Sequence, residues 1–99
     1  MATYEGRRNE DGVVVTVDGR RLPPRNDLFN HSPDGFEYGY GGSGPAQLAL
    51  AILAHHTKND ELAVKLHQKF KFNMIAPLPR EAAWSISSDA VAEFVQAHG

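Results

Sequence analysis

The sequence predicts a small α+β fold, an N-terminal antiparallel β-meander packed against about three helices, the first of them central and buried. Three observations carry this expectation. Val13–Val17 is a β-branched run followed by Asp18-Gly19, a pair that favours a two-residue type I′ hairpin turn. Residues 48–54, LALAILA, are apolar on every side of a helix, which suits only a helix enclosed by other elements. Leu62, Leu66 and Phe70 then recur at i, i+4 and i+8, the stripe of an amphipathic helix. With 99 residues, 41% of them hydrophobic, the chain is expected to form one domain, 1–99, around one core.

Each element has a local reason. Thr3–Gly6 reads as a short strand and RRNEDG, residues 7–12, as a turn. Val13–Val17 and Arg20–Leu22 make the hairpin, with Val17 opposite Arg20 and Val15 opposite Leu22. LPPRNDLFNHSPDG, residues 22–35, is loop, anchored by Leu28 and Phe29 and closed by a Ser-Pro-Asp-Gly turn. Phe36, Tyr38 and Tyr40 alternate with Glu37 and Gly39, so an extended segment would set the three rings on one face. The first helix is expected from Pro45 to His56, with Gly44 as N-cap and Pro45 at the first position, where its missing N–H costs nothing. His55 and His56 suit its C-terminal carbonyls. Thr57 and Asp60 resemble a capping box for the second helix, and Glu61 and Lys65 form an i, i+4 pair on its exposed side. FKFNMI, residues 70–75, fits the end of that helix or a strand, and Pro77 and Pro79 terminate either version. Trp84 and Ile86 alternate in a short strand. Ser87 caps a last helix, Ser88–His98, in which Ile86 staples onto Val91.

Composition narrows the function classes. A net charge of −2 gives no global basic field for a nucleic acid backbone. The absence of cysteine removes thiol catalysis, cysteine zinc sites and disulfides and fits a reducing compartment. No run approaches the roughly 20 apolar residues of a membrane span. The expectation is a soluble cytoplasmic protein, as a monomer or homo-oligomer. No His-Glu-x-x-His element occurs, and His55 and His56 diverge on a helix, so neither a metal nor a cofactor is expected.

The glycine-rich stretch GFEYGYGGSGPAQ, residues 35–47, is the candidate site. Gly39, Gly41 and Gly44 satisfy G-x-G-x-x-G, yet the next segment reads as a helix where a dinucleotide fold needs a parallel strand with an acid near its end. Pro45 and Ala46 stand where a P-loop requires lysine and a hydroxyl residue. Ser43 sits as in a G-x-S-x-G nucleophile elbow, but Pro45 replaces the last glycine. No set of acid, base and nucleophile stands out, so an enzyme is the least favoured class. What remains is a concave array of backbone donors at Gly41, Gly42, Ser43 and Gly44, joined by the positive end of the helix and the open amides of Ala46, Gln47 and Leu48. Phosphate or carboxylate is its natural guest. Ser43 and Gln47 would orient it, Tyr38 or Tyr40 would stack a base, and an arginine from Arg20, Arg21 and Arg25 would neutralise charge. The plainer alternative is a tight corner in which the glycines let the apolar helix approach the sheet.

HSPDGFEYGYGGSGPAQLALAIL, residues 31–53, resembles an uncharacterised family of small bacterial and phage proteins with the motif S-P-x-G-F-x-W/Y-G-Y-x-G-S-G-P-x-x-L-A-L-x-I-L. The likeness extends to Tyr4–Gly6, Leu22–Arg25, Phe70, Lys71 and Trp84. It brings no activity. It implies that Ser32, Pro33, Gly35, Gly41, Ser43, Gly44, Pro45 and Gln47 share one site or one structural corner, and it suggests a phage accessory role. Two readings follow. The first is a non-enzymatic binding module for an anionic, phosphorylated ligand of nucleotide type, such as a sequestered host defence nucleotide. The second is a protein-interaction module, or phage inhibitor of a host defence protein, docking through the loop Leu22–Asp34 with the glycine turn purely structural.

Overall fold

The computed structural model describes residues 2–32 and 35–99. β1 (Thr3–Asn9), β2 (Gly12–Val17), β3 (Arg20–Arg21) and β4 (Trp84–Ser87) form one antiparallel sheet in the order β3-β2-β1-β4. α1 (Ser43–Thr57), α2 (Asp60–Phe70) and α3 (Ser88–His98) complete the α+β architecture. The C-terminal strand thus returns to pair with the N-terminal one, Gly6 opposite Trp84 and Tyr4 opposite Ile86. Among the described residues no helix is long and apolar enough to cross a membrane.

β1 runs three residues further than Gly6, because Arg7, Arg8 and Asn9 pair with Val14, Val13 and Gly12. Asp18 and Gly19 both have positive φ, as the type I′ turn requires, and Val17 lies opposite Arg20 with the Leu22 N–H donating to the Val15 carbonyl. Tyr4, Val15, Val17 and Ile86 on the inner face join Leu48, Leu50, Ile52 and Leu53 of α1 in one buried cluster that also takes in Phe70, Val91 and Phe94. α1 is therefore enclosed, and its lack of a polar face follows from that position.

Two expectations about α1 and α2 are corrected. α1 begins at Ser43 with Gly42 as N-cap, which leaves Pro45 at the third helical position and buried. Proline is tolerated there for the reason that favours it at the first position: an N–H of the opening turn has no intrahelical acceptor. Thr57 belongs to α1, where its hydroxyl donates to the Leu53 carbonyl, and Asn59 caps α2 by accepting from the Leu62 N–H. The ambiguous FKFNMI segment continues α2 as a single π-helical turn, Lys71–Ile75, closed by the Ala76 N–H donating to the Lys71 carbonyl. This extra residue per turn points Lys71 inward and leaves Phe72 60% exposed.

The segment 36–40 forms no strand. Tyr38 is fully buried and donates its hydroxyl to the Ala82 carbonyl, whereas Tyr40 is 39% exposed. The three rings do not share a face, since no sheet neighbour holds the segment pleated and Gly39 turns it with φ +84. The Ser-Pro-Asp-Gly turn falls partly outside the described residues, at Pro33 and Asp34.

Candidate functional site

The chain reaches the start of α1 through a turn whose shape depends on glycine. Gly39 adopts φ +84 against the backbone of Arg80 and donates its N–H to the Ile75 carbonyl. A Cβ on Gly44 would stand 2.5 Å from the Glu37 Cβ, so only glycine lets α1 pass that close to the preceding segment. Beyond Gly44, the helix is buried at once.

The donors at this turn are open. Among the described residues no acceptor meets the amides of Gly41, Gly42, Ser43 or Gly44, and no acidic residue lies in the first turn of α1. Gly41 and Ser43 are exposed, Gly42 is half-buried and Gly44 is buried. Because the helix starts at Ser43, the amides of Ala46, Gln47 and Leu48 lie inside its ladder, and the Ala46 N–H donates to the Gly42 carbonyl. The free helix-start donors are accordingly Gly42, Ser43 and Gly44.

Aromatic rings and cations border the turn. Tyr40 folds over Gly42, and Phe72 lies against Gly41. The Arg80 guanidinium sits 5.1 Å from the centre of the Tyr40 ring, and the Lys71 ammonium sits 4.2 Å from that of Phe72. Lys71 also donates toward the Gly41 carbonyl at 3.5 Å, although its residue is only 7% exposed. Arg8 lies over the Tyr38 ring and places Nη1 2.8 Å from both oxygens of Glu37, with hydrogen-bond geometry to Oε2. That hydrogen bond raises the Arg8 pKa above its ordinary value. Arg8, Lys71 and Arg80 thus outnumber the nearby acids Glu37 and Glu81, the latter felt electrostatically at Arg8.

The residues expected at the site separate into three groups. Gly41, Gly42, Ser43, Gly44 and Tyr40 come together as described. Tyr38 and Gln47 are buried structural residues: Gln47 is 0% exposed, its Oε1 accepts from the N–H groups of His31 and Ser32, and its Nε2 donates to the Pro24 carbonyl. Its side chain holds the 24–32 loop on α1, so both ends of the amide are occupied. Arg20 and Arg21 line a hollow with His55, which is twelve residues beyond Ser43 and about 18 Å along the helix. Arg25 is tied there to Asp27 and Asp60, whose carboxylates raise its pKa. The cations at the turn are instead Arg8, Lys71 and Arg80. Period-two alternation signals Arg8, which shares the inward side of β1 with Tyr4 and Gly6. Nothing periodic signals Arg80, which follows two prolines.

Among the described residues no three His, Cys, Asp or Glu side chains gather as a metal ion would need. The fold and turn define a class, a small α+β protein with an open donor array at the start of a buried helix. Residues 4–97 match a family of unknown function, DUF6166, and the chain belongs to that family. No curated protein and no solved structure matches it.

Proposed function

We propose that this protein is a non-enzymatic binding module that holds the anionic group of a phosphorylated ligand at the glycine turn. The observation that carries the reading is the open side of the turn, where the Gly41, Gly42 and Ser43 amides meet no acceptor among the described residues. Backbone donors at a helix start bind phosphate without side-chain acids or bases, and the helix dipole adds to the attraction. The Ser43 hydroxyl orients the anion, Lys71 and Arg80 neutralise it, and a base stacks beside the partly exposed Tyr40 ring and the Arg80 guanidinium on it. The likeness of the motif to small bacterial and phage proteins directs the first probes to signalling nucleotides, with sequestration of a host defence nucleotide as the sharpest form of the proposal.

The test is a thermal-shift series with inorganic phosphate, mononucleotides and cyclic dinucleotides, followed by amide NMR. A ligand at about a hundred times its Kd stabilises the folded state by about 2.7 kcal/mol, well within reach of a melting curve. The expected result is a rise in Tm with shifts at Gly41–Ser43, abolished in Ser43→Trp. No rise at about 10 mM ligand, a concentration that detects even millimolar affinity, would overturn the reading.

Protein docking is the second reading, and exposed aromatic rings favour it: Phe29 in the loop after β3, and Tyr40 and Phe72 beside the turn. A partner bound through the loop would survive Ser43→Trp and be lost in Phe29→Ala.

A further inference from the structure

The opposite end of α1 has a cleft built differently from the turn. A hollow of about 290 Å³ has a floor of Leu22, Ala51 and Ala54, and a second of about 600 Å³ reaches Arg20 and Arg21. Pro23 and His55 line both, so the two adjoin. The smaller hollow is close to the lower limit of about 300 Å³ for small-molecule sites.

His55 is held in a defined orientation. The hydroxyl of the fully buried Tyr4 lies 2.8 Å from His55 Nδ1, and the two rings meet edge-on. Were Nδ1 the donor, the Tyr4 hydroxyl hydrogen would have no acceptor among the described residues, an expensive arrangement in the core. Tyr4 therefore donates to Nδ1 and the imidazole carries its hydrogen on Nε2, on the side of the ring away from Tyr4. Burial supports this assignment by pushing the Tyr4 pKa up to about 12 and lowering that of His55. His55, which lines both hollows, thus has a fixed ring orientation with its N–H at Nε2.

The charges around it are unequal. Arg20, Arg21, Arg25 and Lys58 face three carboxylates: Asp18, which accepts from the Thr3 N–H, and Asp27 and Asp60, which both accept from Arg25 and leave Arg20, Arg21 and Lys58 without an ion pair among the described residues. Arg25 holds φ +56 at the start of a turn in which its carbonyl accepts from the Leu28 N–H.

We propose that this cleft is a second ligand site, for a small organic anion whose apolar ring lies on Leu22, Ala51 and Ala54 and whose carboxylate or phosphate reaches past Pro23 to His55 Nε2, Arg20 and Arg21. It is independent of the glycine turn, since it shares no residue with it.

The test is amide NMR on the full chain titrated with benzoate and phenyl phosphate, with benzamide and inorganic phosphate as matched controls. Saturable shifts are expected at Leu22, Ala54, His55 and Lys58, with Kd at or below about 10 mM. Benzamide should bind at least about fivefold more weakly, and Arg20→Glu/Arg21→Glu should weaken benzoate about tenfold, as two reversed surface charges predict. Ala54→Leu, which fills the floor, should abolish binding; if it fails to fold, the arginine variant, altered only on exposed strand residues, still decides. Equal binding of benzamide, equal binding of inorganic phosphate and phenyl phosphate, an unaffected arginine variant, or shifts confined to Gly41–Ser43 would each overturn the proposal. The last outcome would leave the glycine turn standing as the anion site.

Discussion

Replacing Gln47 by leucine tests the clearest structural consequence of the fold. Leucine nearly preserves the volume of the side chain but removes one donor and one acceptor from a fully buried position. Three bonds are lost: the His31 N–H to Oε1 at 2.8 Å, the Ser32 N–H to Oε1 at 3.2 Å, and Nε2 to the Pro24 carbonyl at 2.6 Å. A hydrogen bond contributes about 0.5–1.5 kcal/mol net, and a buried group left unpaired costs about 1–3 kcal/mol. The loop groups are only partly buried, so water recovers some of the loss and the sum comes to about 2–4 kcal/mol. For a chain of this size that lowers Tm by about 10–20 °C. Urea denaturation followed by Trp84 fluorescence and by circular dichroism measures it directly. A change smaller than about 0.5 kcal/mol, the ordinary range for surface substitutions, would refute the role of Gln47 as the loop's anchor. In the temperature range where the variant is folded, its response to phosphate should match that of the unaltered chain, because the amide faces the loop and not the turn.

Two further substitutions probe the corner and the histidines. Gly44→Ala places a methyl 2.5 Å from the Glu37 Cβ and 3.2 Å from the Glu37 nitrogen, so backbone must move; a loss of about 1–3 kcal/mol is expected despite the better helix propensity of alanine, and an unchanged Tm would refute the close approach. His31 and His67 share a 2.8 Å Nε2–Nε2 contact, and burial chiefly lowers both pKa values below the ordinary 6.5. As pH falls the unfolded chain takes up these protons first, so their stabilisation is complete above pH 6.5 and declines below it. His67→Phe should flatten the fall in Tm between about pH 7 and pH 5, leaving the shallower slope that His31 and His55, also lowered, supply. A slope unchanged by the substitution would show that the pair does not titrate with folding.

The elements most legible in the chain are those made by neighbouring residues. Val13–Val17 with Asp18-Gly19 forms its hairpin in the expected register, and LALAILA forms the enclosed helix, because turn dihedrals and a uniformly apolar surface are local properties. Ser87 likewise caps α3, accepting from the Ala90 N–H, as a serine before a periodic segment should. The glycines announced a backbone that needs space or positive φ, and Gly39 and Gly44 meet those needs.

Other features depend on distant parts of the chain. Tyr38 and Tyr40 look alike in sequence, yet one donates to Ala82 in the core and the other stacks with Arg80 at the surface. Gln47 reads as a ligand contact until the loop at 24–32 folds back onto it. FKFNMI reads as helix end or strand, and only the π-helical turn it forms brings Lys71 to the Gly41 carbonyl. Local pattern thus determined which segments are strand, helix and turn, since backbone preference and hydrophobic period act over a few residues. Only tertiary structure decided which cations border the glycine turn, because that depends on where β1 and the segment after α2 meet it.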